Sequence, residues 1–399
     1  MTLRTRFLLL LALRWLATGL LLPVSLLLPL ERGLTVAEVG LAMAAQGVVV
    51  LLCEVPSGAL TDAWGRRPVF VASGVVAIAG YCVAFTAQSV LAFALAWAVL
   101  GLFRALDSGP LEAWFVDAEH ARGAADEVPR GLAAAGGVIS ASLAAGALIC
   151  AGLLRVSPWS AEATLAMPYL VAMGIVVVQI VCAWRLMDSV ARSARPSGAA
   201  WRASLVSGVR VAFGRHLRLL SASMVLVGLG VAALELFMPV RLTEFSAGAS
   251  SAASRLGVVS SAAWGLAALG AAITTRLLNS VGPAVLTPTL FVVEGLGLVA
   301  MAAATGVGIL VAGYWLCYLV HTSSGAMYNS LVHRRVDDAQ RGTALSVASM
   351  AFLGAGAAGG VGLGALGEAT SASWALATGA CFMIAAAVLV VAAVRRPQR

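Results

Sequence analysis

The 399-residue sequence predicts an all-α integral membrane protein, with twelve transmembrane helices arranged as two pseudo-symmetric six-helix bundles. Three observations carry this. Hydrophobic residues make up 61% of the chain and charged residues only 11%, whereas soluble domains carry roughly 25% charged residues. Such a chain has too little polar surface to cover a fold in water. Long apolar runs recur at 7–30, 37–57, 69–87, 90–116, 131–154, 165–187, 219–241, 255–278, 284–305, 307–332, 343–367 and 371–394, and about 20 apolar residues suffice to cross a bilayer as a helix. These runs are too long and too evenly apolar for barrel strands, which alternate, and only helices or closed barrels satisfy their own backbone in lipid. The longest polar stretch, 188–218, falls between the sixth and seventh runs. It divides an N-terminal bundle (1–187) from a C-terminal bundle (219–399).

The first run, within Met1 to Leu30, has basic flanks like a signal peptide. It is too long for one, Arg14 interrupts it, and no A-x-A site follows, so it reads as a retained span. The turns between runs set the orientation. With the N-terminus inside, twenty Arg fall on the inside and only Arg32, Arg155, Arg241 and Arg255 on the outside. The positive-inside rule then places both ends in the cytoplasm. Within the central linker, Trp201, Leu205, Val209 and Phe213 against Arg202, Arg210 and Arg218 fit an amphipathic surface helix, and equally a plain tether. The halves show faint kinship. Pro29-Leu-Glu-Arg32 and Pro239-Val-Arg241-Leu end the first and seventh runs, and Gly40 and Gly257 open the second and eighth. Internal repeats of this kind are a habit of secondary transporters.

Composition also excludes functions. All 26 basic residues are Arg. They sit in turns rather than in a basic domain, so the +8 net charge implies no nucleic-acid partner. Without any Lys there is no G-x-x-x-x-G-K-[ST] phosphate loop. Neither H-E-x-x-H nor a Ser/His/Asp constellation is present, so no enzyme is expected. Asp117-Ala-Glu119-His120 reads as a solvated loop rather than a metal set. No cofactor and no metal are expected; a proton gradient is the expected driving force. The six Cys lie in or at the ends of apolar runs with no C-x-x-C pair, which reads as packing. The Ala-rich, Lys-free composition suggests a GC-rich bacterial genome, and hence the bacterial cytoplasmic membrane.

Between the second and third runs lies Glu54-Val-Pro-Ser-Gly58-Ala-Leu-Thr-Asp62-Ala-Trp-Gly65-Arg66-Arg67-Pro68. This charged turn resembles the loop between helices two and three of the major facilitator superfamily of transporters. The resemblance implies the major facilitator fold and a cytoplasmic gating latch. In that latch Asp62 docks at the start of span eleven near Arg341, and Arg66 bridges to Asp117 or Glu119. A helix N-terminus offers free N–H groups and a positive dipole end for such docking. The competing reading is an ordinary inside loop, since such loops collect Arg and Gly.

Ionisable residues inside spans cost at least about 2.5–3.5 kcal/mol near the bilayer centre, so they are the functional leads. Arg14 and Glu54, in the inner thirds of spans one and two, are expected to neutralise each other as a structural ion pair. In span four, Phe103-Arg104-Ala-Leu-Asp107-Ser-Gly-Pro110-Leu-Glu112 places Arg104 and Asp107 three residues apart, able to pair on one face. Pro110 removes a backbone donor and predicts a kink. Arg104 is similar to the span-four Arg of the superfamily's drug–proton antiporters, although Ser108 stands where that family has Gly. Span five, Gly136-Gly137 to Gly146, lacks the antiporters' Gly-Pro pair. Either Arg104, Asp107, Glu112 and Glu235 carry proton coupling, or Arg104 and Asp107 form a static pair. Glu235, among Leu, Phe and Met of span seven, suits a lipophilic cation or a proton. His321 in span ten suits a proton or substrate contact, and equally a hydrogen-bonded packing role. Glu294 in span nine reads as a structural partner. Arg104, Asp107, Glu235 and His321 are the candidate substrate contacts. The resulting expectation is proton-coupled efflux of lipophilic small molecules, the alternative being a carrier of a metabolite, sugar or lipid. Its partners would be that small molecule, protons and the lipid bilayer, and the chain would act as a monomer.

Overall fold

The computed structural model describes residues 1–188, 217–335 and 341–395. Among the described residues there are fourteen helices and no strand. In chain order they are α1 (Leu3–Leu21), α2 (Leu27–Glu31), α3 (Val36–Trp64), α4 (Arg66–Thr86), α5 (Val90–Asp107), α6 (Pro110–Ala121) and α7 (Glu127–Val156). There follow α8 (Ala161–Leu186), α9 (Arg218–Glu244), α10 (Ala249–Val281), α11 (Pro283–Ala302), α12 (Val307–His333), α13 (Arg341–Ala369) and α14 (Ala372–Val394). Eleven spans among them are long and apolar enough to cross a membrane. The more polar α1, which carries Arg4, Arg6 and Arg14, completes the twelve expected. The expected linker helix over Trp201–Arg218, apart from its last two residues, lies outside the described residues.

Local chemistry explains the helix ends. Thr2, Ser89, Ser160 and Ser371 each accept a hydrogen bond from the backbone N–H three residues on, satisfying a donor that the first turn leaves orphaned. The first apolar run is not one helix. α1 stops at Leu21, beside Pro23, and the chain resumes as the short α2. The charged stretch 54–68 is a loop only in part. α3 continues through it to Trp64, and the link to α4 is Gly65 alone, at φ 97°. Only glycine adopts that conformation without strain.

The chain forms two compact units. In the first, α1 packs on α7 and α8, and α4 on α5 and α8. In the second, α9 packs on α13 and α14, and α11 on α12 and α14. The pattern repeats between spans related by six places. Details repeat with it. A Cβ on Gly19 would lie 2.4 Å from the Leu143 carbonyl oxygen, and one on Gly228 2.3 Å from that of Phe352. Glycine at these two positions is what lets the backbones approach.

The faint match between Pro29-Leu-Glu-Arg32 and Pro239-Val-Arg241-Leu acquires a common role. Arg32 donates to the carbonyls of Ala84 (3.1 Å), Phe85 (2.8 Å) and Ala87 (2.6 Å) at the end of α4, and pairs with Glu162 (3.0 Å). Arg241 donates to Ala304 O (2.6 Å) just beyond α11 and pairs with Glu244. Each guanidinium covers carbonyls that a helix end leaves unpaired.

Two segments fall with the unit opposite to the one sequence order assigns. Thr35–Ala44 belongs to the second unit and Ala247–Ser261 to the first. In the second unit Gly40 packs on the Gly360 backbone, and Ala37 N–H donates to Glu368 at 2.7 Å. In the first, Gly257 packs on Ala147, and Ser254 donates to Ala151 O (3.2 Å) while accepting from Arg155 (3.2 Å).

Candidate functional site

In the first unit the chemistry gathers where α1 meets the end of α5. Asp107 is the last residue of α5, and the helix breaks immediately after it. Gly109 takes a left-handed conformation (φ 96°, ψ −24°), and Pro110 starts α6 at the first helical position. The kink expected at Pro110 is therefore a full interruption, and span four is a pair of half-helices. Broken spans of this type are where membrane proteins place ion and substrate chemistry.

Asp107 Oδ2 accepts a hydrogen bond from Arg14 Nε in an ion pair whose side chains are 12% and 8% exposed. Arg14 also donates through Nη1 to Thr18 Oγ1 at 2.5 Å. Its guanidinium lies 4.5 Å from the Phe103 ring centroid and 4.6 Å from that of Trp15. Asp107 Oδ1 is buried with no hydrogen-bond partner.

This arrangement corrects two expectations. Arg14 does not neutralise Glu54, which is exposed on α3, and Arg104 does not pair with Asp107. Arg104 is exposed, although it is three residues away on the same helix. A guanidinium buried in α1 is costly without a counter-charge, and Asp107 supplies it. The exposed Arg104 has no such need. Glu112 is exposed in the first turn of α6, where a negative charge suits the helix N-terminus.

The expected gate residues divide. Arg66 Nε reaches Asp117 Oδ2 at 3.3 Å, the partner anticipated for it. Arg67 points elsewhere. It stacks 4.5 Å over Trp184 and donates to the Met187 carbonyl (3.2 Å), capping the end of α8. Arg6 pairs with Asp188 at the same place (3.0 Å), and Trp114 donates to the Asp188 carbonyl (3.2 Å). Gly58 lies within α3 rather than in a turn. The side chains of Asp62 and Arg341 lie outside the described residues.

In the second unit, His321 Nδ1 lies 2.9 Å from Glu294 Oε1. Glu294 is fully buried, its Oε2 has no partner, and the His321 side chain is 28% exposed. Tyr318 stands beside the imidazole (5.8 Å between centroids) and touches Tyr314 (4.7 Å) and Trp264 (5.4 Å). Glu235 is exposed on α9. Structural pairing of Glu294 was expected; that its partner is His321 was not. The signal was partly present. Tyr314, Tyr318 and His321 stand at i, i+4 and i+7, one face of a helix. Trp264 and Glu294 come from other helices and left no such trace.

The fold has counterparts among known proteins. The model of the Major Facilitator Superfamily matches residues 7–360. No curated protein matches the sequence. Among solved structures, a mutant of the nucleoside transporter NupG is similar over 98% of this chain and 100% of its own, with a TM-score of 0.86 at 13% identity. An autoinhibited POT-family peptide transporter is similar over 100% of this chain and 97% of its own, with a TM-score of 0.76 at 11% identity. The human organic anion transporter MFSD10 is similar over 97% of this chain and 98% of its own, with a TM-score of 0.66 at 19% identity. The family match spans most of the chain: the chain belongs to the Major Facilitator Superfamily.

Proposed function

We propose that this protein is a proton-coupled secondary transporter that extrudes lipophilic small molecules by alternating access. It would sit in a bacterial cytoplasmic membrane with both termini inside. The observation that carries the reading is the Arg14–Asp107 pair beside the break in span four. A buried carboxylate held by one Arg has two stable arrangements. Ionised, it binds the guanidinium; protonated, it releases it. An exchange of that kind, next to a glycine link that can re-aim a half-helix, couples a proton to a movement of the backbone. The exposed Glu235, near Tyr318 and His321, gives a cationic cargo a counter-charge with aromatic surface beside it. Arg104 and Glu112, both exposed and flanking the break, are proposed to complete the coupling machinery.

The test is transport in sealed proteoliposomes with an imposed pH gradient, using lipophilic cationic dyes as probes. Gradient-driven dye movement that Asp107→Asn abolishes, while that variant still folds, supports the reading. Movement unchanged by both Asp107→Asn and collapse of the gradient overturns it. A second reading, a carrier of a planar metabolite, is favoured by one feature. Trp264, Tyr314 and Tyr318 form a continuous aromatic group, and a similar structure is titled a nucleoside transporter. Nucleoside accumulation down the proton gradient, with dyes inert, would select it.

A further inference from the structure

We propose that Glu294 and His321 form a proton-binding dyad of the second unit, separate from Asp107, which loads and unloads through the partly open imidazole. The proposal rests on the proton-coupled reading above, but on different residues. Glu294 is fully buried in α11, with one oxygen on His321 Nδ1 and the other without a partner. A lone ionised carboxylate in such a place is costly and takes a proton when one can reach it.

The surroundings offer little else to balance the charge. α14, packed against α11, has no Asp, Glu, Lys or Arg. On α12 the nearest groups are Tyr314, Tyr318 and Cys317, whose thiol donates to the Glu294 carbonyl at 3.3 Å. From α10 come Trp264, against Tyr318, and the Ala267 carbonyl, which accepts from Thr322 at 3.4 Å. The charged residue of α13 whose side chain is described is Glu368, near its C-terminal end. α9 contributes Glu235, which is exposed. Among the described residues no Arg pairs with Glu294; its one side-chain partner is the imidazole.

The step balances within the dyad. In the unloaded form His321 carries its proton on Nδ1 and donates to the Glu294 carboxylate, leaving Nε2 as an acceptor. A hydronium ion from the bulk gives a proton to Nε2, its O–H bond breaking to leave water. The Nδ1–H bond then breaks, its electron pair remaining on nitrogen, and an O–H bond forms at Oε1. The dyad passes from one net negative charge to none, with the imidazole neutral before and after. Unloading is the reverse.

The experiment is an acid-minus-alkaline infrared difference spectrum of the full-length protein in detergent, with Glu294→Gln and His321→Gln as variants. Size-exclusion profiles verify that each is folded. A protonated-carboxyl band that vanishes in Glu294→Gln, and whose titration midpoint moves by about one pH unit (tenfold in proton concentration) in His321→Gln, supports the dyad. A purely structural hydrogen bond would give no titrating band. A spectrum unchanged by Glu294→Gln, or a midpoint unmoved in His321→Gln, overturns the dyad. A transport arm separates the two proposals, with tetraphenylphosphonium as the probe in proteoliposomes. If both variants keep probe exchange but lose gradient-driven accumulation, the dyad is supported. If wild type and variants are driven equally by the gradient, the dyad is overturned and the transport reading survives. If the wild type shows no gradient-driven movement while the band behaves as expected, the dyad is supported and the transport reading fails.

Discussion

Removing Arg14 leaves a buried carboxylate in a span, and removing Asp107 leaves a buried guanidinium. Both side chains are almost closed to water, at 8% and 12% exposure, so solvent screens their interaction little. Breaking such a pair from one side costs about 3–5 kcal/mol, whereas exchanging both partners for apolar residues is often close to neutral. Arg14→Met and Asp107→Leu are each expected to lose about 3–5 kcal/mol, and the double variant to recover most of it. The two singles should also differ in their pH dependence. In Arg14→Met the stranded carboxyl can take up a proton, so the defect shrinks in acid. In Asp107→Leu the guanidinium cannot lose its proton, so the defect persists. Reversible unfolding in mixed micelles, followed by tryptophan fluorescence at neutral and acid pH, measures all four proteins. A double variant whose loss equals the sum of the singles within about 0.5 kcal/mol would refute the pairing argument.

Other outcomes follow from the same geometry. Gly228→Ala places a methyl 2.3 Å from the Phe352 carbonyl oxygen, while at Gly356 the nearest atom is 3.7 Å away. The first variant should lose most of its folded yield in size-exclusion assays, and Gly356→Ala should keep it. Gly109→Ala should cost about 1–2 kcal/mol, because its φ of 96° is a conformation that L residues avoid; an unchanged unfolding midpoint would contradict the broken span. Arg32→Gln strips three carbonyls of their cap and should lower the melting temperature clearly. Arg66→Gln loses a pair that is 28% and 42% exposed and should cost about 1 kcal/mol or less. Thermal unfolding of the two variants side by side tests the contrast.

The sequence by itself determined the run of apolar spans and the fold class. These depend on composition and run length, which the bilayer reads directly and which need no knowledge of neighbours. It also placed a charged stretch after the second span and a kink near Pro110, which the structure shows as a full break, because glycine and proline act on the backbone where they stand. Which charges meet was decided only by tertiary structure. Arg104 is three residues from Asp107 in sequence, yet the carboxylate belongs to Arg14 on α1. Spacing along one helix lists possible neighbours, while burial decides which ion must be satisfied, and burial depends on helices distant in the chain. The same holds for Glu294 and His321, which are 27 residues apart, and for Arg67, drawn from the expected latch to the end of α8. The charged stretch that first marked the family proved to be mostly helix, turning on a single glycine, Gly65. Helical propensity carries the chain up to that residue, and only a residue without a Cβ can make the turn that follows.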